Sequence, residues 1–271
     1  MIVIATDSTA YMSAQEGKEL GLLYIPMSYS IGEDAFAEGF FHEGARFHGA
    51  ALSHPSLLHT SQPAMAVIER RFRRFVEAGH EILCLTISSR LSGTFSNASV
   101  CAKGFAGRVR VVDSKTAAAG MVILLREARR LVDEGRPLED CAGELEALAQ
   151  RVHTLFSVKD LSPLRRSGRL GLMKQSIGTI LNQRPILRCE DGAVVSSGLA
   201  RGRREQLRLL TDPIPESARA VIVQHFSDEA AAAEMAEALR LRLKKPVEIR
   251  RIGIVLGIHL SFDVIGSAWL D

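Results

Sequence analysis

The chain has 271 residues, of which 46% are hydrophobic and 24% are charged. This length suits one large domain or two smaller ones, and the composition is that of a globular protein with a buried core. The net charge of +3 is too weak to indicate nucleic-acid binding by itself, and aromatic residues make up only 6% of the chain. We therefore expect no nucleic-acid partner.

The cysteines and the N-terminal residues bear on the compartment. Cys84, Cys101, Cys141 and Cys189 are too far apart in the sequence for a CxxC metal or redox motif. We expect free thiols in a reducing environment. The opening stretch MIVIATDSTA has no basic region, and Asp7 interrupts its apolar run, which argues against a signal peptide. No apolar stretch is long enough to span a membrane, so we predict a cytoplasmic protein.

The first half of the chain alternates strand-like and helix-like segments. Strands are predicted over 2–5, 22–31, 81–87 and 109–114, and helices over 63–79, 94–105, 117–135 and 137–152. Ile68, Phe72, Phe75 and Val76 give the first of these helices one apolar face. Residues 53–63 look like a loop. This alternation predicts an α/β domain built on a parallel, doubly wound sheet.

The second half has a different pattern. Two strand-like runs over 184–200 flank Glu190-Asp191-Gly192, which is a strong hairpin signal. A strand is predicted over 219–226, helices over 203–210 and 228–243, a loop over 212–217, and a last strand pair or bent strand over 247–260. This pattern predicts an α+β domain with mixed or antiparallel pairing. We place the boundary near residue 150, giving domains of 1–150 and 151–271.

Polar clusters follow several of these elements. They are Asp7-Ser8-Thr9, Thr60-Ser61-Gln62-Pro63, the stretch from Ser88 to Thr94, and LRRSGRLG at 164–171, while His259 ends GIVLGIH. Ligands of open α/β sheets bind beyond the carboxyl ends of strands, and helix N-termini attract anions. Taken singly, each cluster is more often a cap, a solvated turn or a hydrogen-bonded structural residue.

Taken together, the clusters resemble the DegV family. TDSTA, TSQP, ISSRLSGT, VDS, LRRSGRLG, LNQRPIL and IGIVLGIH occur in the family's order and rough spacing, from residue 3 to about residue 260. The resemblance implies a bacterial fatty-acid-binding protein that presents its ligand to a fatty acid kinase. It also implies two α/β domains with a lipid tunnel between them. The expected ligand is a long-chain acid such as palmitate, stearate or oleate.

The resemblance also implies which residues bind the ligand. The carboxylate-binding threonine, serine, arginine and histidine of the family fall on Thr60, Ser92, Arg169 and His259. Gly93, Ser61, Asp7 and Ser8 complete the candidate set. The chemistry agrees, because an ionised carboxylate removed from water needs several donors, and a guanidinium can donate to it twice. Phe95, Ile177, Ile180 and Leu181 are candidates for the tunnel wall or for plain core.

The same resemblance implies no catalysis by this chain, no cofactor and no metal. The expected partners are the fatty acid and a fatty acid kinase subunit, with transient contact to a membrane surface, and the chain itself as a monomer or homodimer. One stretch departs from the family, which follows its histidine with a Gly-Pro-Gly-like turn. Here Leu260-Ser261-Phe262-Asp263 is bulkier and more acidic, and Asp263 is expected to repel an acyl phosphate or to tie back Arg169.

Two alternatives stay open at this point, an enzyme and a phosphate or nucleotide binder. Ser92 and His259 could form the pair of a serine-dependent acyl hydrolase or transferase, with Asp7 or Asp263 orienting the histidine. Ser92 is not in a GxSxG elbow, however. A nucleotide or phosphate site is the other alternative, although the chain has no GxxxxGK[ST] and no GxGxxG after its first strand.

Overall fold

A computed structural model describes residues 1–41, 57–171 and 183–271. The strands, numbered in chain order, are β1 (Ile2–Asp7), β2 (Leu22–Ile25), β3 (Ser28–Ile31), β4 (Asp34–Ala37), β5 (Leu58–Ser61), β6 (Glu81–Thr86), β7 (Val109–Asp113), β8 (Val152–Ser157), β9 (Gln183–Glu190), β10 (Ala193–Arg201), β11 (Ala220–His225), β12 (Glu248–Arg251) and β13 (Ile265–Leu270). The α-helices are α1 (Ala14–Glu19), α2 (Met65–Glu77), α3 (Thr94–Ala102), α4 (Ala119–Asp133), α5 (Leu138–Ala149), α6 (Ser162–Arg166), α7 (Gly202–Thr211), α8 (Glu229–Leu243) and α9 (Ile254–Leu260).

The first half contains the predicted parallel sheet. Its strand order is β2-β1-β6-β7, and every neighbouring pair is parallel. Both faces are covered, which is why β6 is a continuous apolar run rather than an alternating one. Cys84 packs with α2 and α3 on one face, whereas Leu83 and Leu85 pack with α4 and α5 on the other.

A small antiparallel sheet in this half was not predicted. Its order is β4-β3-β5. The segment 22–31 is not one strand, because Pro26 and Met27 separate β2 from β3 and the two strands join different sheets. Proline lacks the N–H that a continuous central strand needs. The prediction of a loop over 53–63 is wrong at β5, and α2 begins at Met65 rather than at Pro63. Residues 53–56 lie outside the described ranges.

The second half is built on a mixed sheet of order β10-β9-β8-β13-β11-β12. The β11–β12 pair is parallel and the other pairs are antiparallel. The predicted hairpin joins β9 and β10. Asp191 and Gly192 both have positive φ, 47° and 80°, as a two-residue type I′ turn requires. The prediction of a mixed α+β half is therefore confirmed.

The prediction of a strand pair or bent strand over 247–260 is wrong. Only β12 is a strand there, and the apolar run that carries His259 forms helix α9. A short apolar run does not distinguish a buried strand from a buried helix segment. The last strand of the sheet, β13, lies beyond the predicted region and was missed.

The two halves share a core. Helix α4 packs between the two large sheets, and one buried cluster contains Leu83 of the parallel sheet together with Phe156 and Ala268 of the mixed sheet. The Arg250 guanidinium also spans the halves, donating to both carboxylate oxygens of Glu16 at 2.6 and 2.9 Å. A domain boundary near residue 150 stays a prediction. Within the described ranges, no helix combines the length and apolarity needed to cross a membrane.

Candidate functional site

A cleft opens where helix α9 and the start of α3 face the mixed sheet. It contains about 850 Å³ of space not filled by protein atoms, including its open mouth. Its walls are predominantly apolar and include Ile87, Leu91, Phe156, Val255, Leu256 and Val264. Thr60, Ser92, Arg169 and His259 also line it. The structure therefore brings together the four residues on which the expected carboxylate site rests.

Thr60 and His259 are in direct contact. The Thr60 Oγ1 atom lies 2.7 Å from His259 Nε2. Thr60 is held in β5 opposite Tyr29 of β3, and His259 lies in the last turn of α9. Because β5 belongs to the first half and α9 to the second, this hydrogen bond joins the two halves of the chain at the cleft.

The His259 imidazole is neutral near pH 7. Burial first, and the nearby positive charge of Arg169 second, lower its pKa to about 4. Its Nδ1 atom is buried and has no hydrogen-bond partner among the described residues. If Nε2 carries the proton, it donates to Thr60 Oγ1, and the Thr60 hydroxyl hydrogen is then free to donate into the cleft.

The stretch Ser92-Gly93-Thr94 forms the start of α3. Gly93 is the N-cap residue, and Ser92 Oγ lies 2.9 Å from Thr94 Oγ1 while accepting from the Thr94 amide at 3.3 Å. The Gly93 amide donates to no described residue. A Cβ atom at Gly93 would come within 2.1 Å of Gln62 Oε1, so glycine allows Gln62 to lie over this turn. The turn therefore places the Ser92 hydroxyl at one wall of the cleft, next in the chain to the unpaired Gly93 amide.

Arg169 is fixed beside this turn. Arg169 follows helix α6. Gly168, with φ of 70°, makes the left-handed turn that ends that helix. Arg169 Nε donates to the Leu91 carbonyl oxygen at 3.2 Å, and Nη1 donates to the Ser167 carbonyl oxygen at 2.5 Å. These contacts use Nε and Nη1 and leave Nη2 as a donor without a described protein partner.

Four predicted site residues do not line the cleft: Gly93, which directly follows the lining residue Ser92, and Asp7, Ser8 and Ser61. Asp7 is fully buried at the end of β1, where its carboxylate accepts from the Thr9 amide and hydroxyl and from the Ile87 amide. Ser8 donates to Glu38 Oε2 at 2.7 Å, and Ser61 is exposed at the end of β5. These contacts are structural, so a ligand role for Asp7, Ser8 and Ser61 gains no support from their positions.

The tunnel-wall candidates have different outcomes. Phe95 is described, but it is not among the residues that line the cleft. Ile177, Ile180 and Leu181 lie outside the described residues.

The loop after His259 differs from the expectation. Asp263 does not contact Arg169, and instead its Oδ2 atom pairs with Arg184 Nη1 at 2.8 Å. Its Oδ1 atom accepts from Ser261 Oγ and from the Lys159 amide. Phe262 packs against the Phe226 ring, with 4.9 Å between the ring centroids. Asp263 is thus paired with Arg184 of β9 rather than with Arg169.

The contacts of an acyl-transfer triad are not formed among the described residues. Ser92 Oγ bonds to Thr94, and His259 Nε2 bonds to Thr60 rather than to Ser92. Asp7 and Asp263 each bond elsewhere, so neither orients the imidazole. This arrangement lacks both contacts that activate a serine nucleophile. No group of His, Cys, Asp or Glu in the described ranges is arranged to hold a metal ion.

Sequence reasoning missed two further features of the site. Gln224 lies in β11 and Thr154 in β8, on either side of β13 in the mixed sheet. Both residues are more than nine-tenths buried and line the cleft. Glu38 is buried at the N-terminus of α9, where it accepts from the Val255 amide at 3.0 Å. A polar residue inside a predicted strand was a usable signal for Gln224. Glu38, in the irregular stretch GEDAFAEGF, carried none.

Comparisons with known proteins agree with this architecture. The sequence model of the DegV family matches residues 1–271. The chain belongs to the DegV family. A DegV domain-containing protein of Halalkalibacterium halodurans is 31% identical over 277 residues, covering 99% of this chain and 98% of that protein. The predicted family membership and fold class are thereby confirmed.

Solved DegV structures superpose on the whole chain. A fatty-acid-binding DegV family protein from Thermus thermophilus has a TM-score of 0.85 at 28% identity, covering 100% of this chain and 99% of that one. DegV from Bacillus subtilis, also a fatty-acid-binding protein, has a TM-score of 0.86 at 26% identity, covering 99% and 98%. Fatty-acid binding is thus a property of DegV relatives that share this fold throughout.

Proposed function

We propose that this DegV family member is a fatty-acid carrier that binds a long-chain acid in the cleft and presents it to a fatty acid kinase, without catalysis of its own. The observation that carries the proposal is the composition of the cleft. A mostly apolar cavity has its hydroxyl and guanidinium donors around Thr60, Ser92 and Arg169, and the Gly93 amide directly follows Ser92 in the chain. An amphiphile with one anionic end fits this division.

These donors suit a carboxylate in charge as well as in geometry. Arg169 supplies a permanent positive charge, and its free Nη2 can form a charge-assisted hydrogen bond with a carboxylate oxygen. His259 is neutral near pH 7, so its role is to orient Thr60 rather than to supply charge. One cation with several neutral donors matches the single negative charge of a fatty acid.

The acyl chain would supply most of the affinity. Burying each CH₂ group contributes about 0.8 kcal/mol, so a long chain contributes on the order of 10 kcal/mol before ordering costs are subtracted. Phe156, Val255, Leu256 and Val264 provide apolar wall for such a chain. Palmitate, stearate and oleate are the ligands we expect.

Phosphorylation would be the work of the partner kinase. The carrier holds the carboxylate at an accessible cleft, so a kinase that supplies ATP can form the acyl phosphate there. The absence of an activating contact to Ser92 within the described residues is consistent with a carrier that has no turnover. Basic groups such as the exposed Arg166 would favour an acidic partner or brief contact with an anionic membrane during lipid transfer.

Mass spectrometry tests the binding part of this proposal. The purified protein is measured in its native state and again after organic extraction, and stripped protein is then offered palmitate, stearate and oleate. We expect one fatty acid per chain. A stripped protein that binds none of the acids would refute the carrier function.

The kinase part needs a separate measurement. Loaded protein is incubated with ATP and a bacterial fatty acid kinase, and acyl phosphate is trapped with hydroxylamine. We expect acyl hydroxamate only when the kinase, ATP and the loaded protein are all present. Hydroxamate formed equally well without the protein would refute presentation.

A further inference from the structure

The side chain of Gln224 is a polar group of the cleft that has no part in the expected carboxylate site. This residue lies in β11, lines the cleft and is only 6% exposed. Its Oε1 atom accepts a hydrogen bond from the Ala119 amide at 3.0 Å, at the start of helix α4. Gln224 therefore connects the mixed sheet to the helix that packs between the two large sheets.

This contact fixes the orientation of the amide. The Ala119 amide can only donate, so the atom that it meets must be the carbonyl oxygen of Gln224 rather than its nitrogen. The Nε2 atom is then the other end of the amide group, and it donates to no described residue. Because Gln224 lines the cleft, a ligand that covers this nitrogen without pairing it incurs a cost, and a ligand that pairs it gains free energy.

The strand register opens space beside Gln224. Gln224 is directly opposite Gly266 of β13, and Gly266 is directly opposite Phe156 of β8. Gln224 and Phe156 are thus two strand spacings apart, about 10 Å, with no side chain between them. A Cβ atom at Gly266 would come within 2.4 Å of the Leu155 carbonyl oxygen, so glycine is required there.

A second polar group lies on the same sheet face. Thr154 is two residues before Phe156 in β8, lines the cleft and is 5% exposed. Its hydroxyl bonds to Thr116 Oγ1 at 2.9 Å, which leaves it further acceptor capacity. The floor of the cleft is therefore not uniformly apolar, although a saturated chain offers it no polar partner.

We propose that Gln224 is a specificity-determining residue, whose Nε2 donates a hydrogen bond to an oxygen atom borne along the acyl chain of the ligand. Saturated acids still bind, but a hydroxylated or keto fatty acid of the same length then binds more tightly. This inference rests on the proposed fatty-acid binding. A saturated chain that displaces water from the floor leaves the Gln224 amide unpaired, whereas an oxygenated chain satisfies it.

The test compares ligands of equal length. Stripped wild-type protein is titrated with palmitic acid, with a series of monohydroxyhexadecanoic acids that differ in hydroxyl position, and with cis-9-hexadecenoic acid. We expect one hydroxyl position to bind about tenfold more tightly than palmitic acid, which corresponds to one satisfied buried donor. This comparison needs no variant, so it stands even if substitution at Gln224 prevents folding.

The variant Gln224→Leu then assigns the preference to its residue. We expect it to lose the preference, so that it binds the hydroxylated isomer no more tightly than palmitic acid. Three results would overturn the inference: no isomer binds more tightly than palmitic acid, the preference survives in Gln224→Leu, or only the unsaturated acid is favoured. If no acid of the panel binds to wild type, the carrier function itself has failed.

Discussion

The hydroxyl of Thr60 and the imidazole of His259 meet at 2.7 Å, although the two residues are 199 positions apart in the sequence. The contact joins the small antiparallel sheet, through β5, to helix α9 of the second half. It is the point at which the two walls of the cleft are connected through polar atoms of the expected carboxylate site. When His259 Nε2 carries the proton it donates to the Thr60 oxygen, and the Thr60 hydroxyl hydrogen can then be donated to a ligand.

Replacing Thr60 by valine tests this arrangement. Thr60→Val keeps the β-branched shape that suits β5 but removes the hydroxyl, so the ligand loses a donor and His259 loses its partner. We expect fatty-acid affinity to fall about tenfold, measured by displacement of a fluorescent fatty acid. The matched control is Ser61→Ala, which removes the neighbouring exposed hydroxyl and should leave affinity unchanged. Equal losses in both variants would contradict a specific role for Thr60.

The sequence predicted the parallel sheet and the β9–β10 hairpin because their signals are local. A buried parallel strand is a continuous apolar run, and Asp191-Gly192 has the residues that a type I′ turn requires. The small antiparallel sheet was missed because its pairing is not local. β5 is recognisable as a strand only once it lies beside β3, which ends 27 positions earlier (58 − 31).

The candidate site was only partly predictable for a related reason. Thr60, Ser92, Arg169 and His259 could be proposed from the family's motifs, but their contacts depend on how the halves pack. Helix α9 was read as a strand because IVLGIHL is apolar on most sides, so its period does not separate helix from strand. Asp7 and Ser8 lie at the end of a strand, where ligand-binding residues often lie. Their side chains instead make hydrogen bonds within the protein, Asp7 with the Ile87 amide and Ser8 with Glu38.

Arg169 should distinguish charged from uncharged ligands. The variant Arg169→Met keeps an unbranched apolar stem but removes the guanidinium. We expect affinity for palmitate to fall by at least about tenfold, because a charge-assisted hydrogen bond to a desolvated carboxylate is lost. Affinity for hexadecanol, which has no charge, should change little. Both affinities are measured by the same displacement assay.

The control for this change is Arg166→Gln. Arg166 is an exposed arginine three positions earlier that does not line the cleft. The substitution removes the same charge from the surface and leaves Thr60, Ser92 and Arg169 unchanged, so palmitate affinity should stay close to that of wild type. If Arg166→Gln weakens palmitate binding as much as Arg169→Met does, the effect is one of overall charge, and the assignment of Arg169 fails.

His259 should couple ligand binding to protons. In the unliganded protein its pKa is lowered to about 4, by burial first and by Arg169 second. A bound carboxylate adds negative charge nearby and therefore raises this pKa. Binding then takes up protons at pH values above about 4, and affinity rises as the pH falls towards that value.

Calorimetry measures this uptake directly. Palmitate binding is titrated in buffers that differ in their heat of ionisation, and the apparent enthalpy should depend on the buffer at pH 5.5 much more than at pH 8. His259→Gln, which still offers an amide nitrogen to Thr60, should remove that dependence. A buffer dependence that persists in His259→Gln would mean that another group takes up the proton.

Glu38 should make the stability of the fold depend on pH. Its carboxyl group is buried between the N-terminus of α9 and Ser8, where it accepts from the Val255 amide at 3.0 Å and from Ser8 Oγ at 2.7 Å. Burial raises its pKa from the ordinary value of 4.5 to about 7, partly offset by these hydrogen bonds. The folded protein thus keeps a proton that the unfolded chain has released at intermediate pH.

This proton determines the direction in which stability changes with pH. The stabilisation is fully present below about pH 4.5 and is lost as the pH rises through about 7, at a cost to the free energy of unfolding of at most about 3 kcal/mol. Glu38→Gln mimics the protonated form, so we expect it to be more stable than wild type at pH 8 and similar to it at pH 5, as measured by urea unfolding. Glu33→Gln, an exposed glutamate nearby, should follow wild type at both values. If wild type and Glu38→Gln lose stability in parallel as the pH rises, then Glu38 is ionised in the folded protein and α9 is anchored by a carboxylate instead.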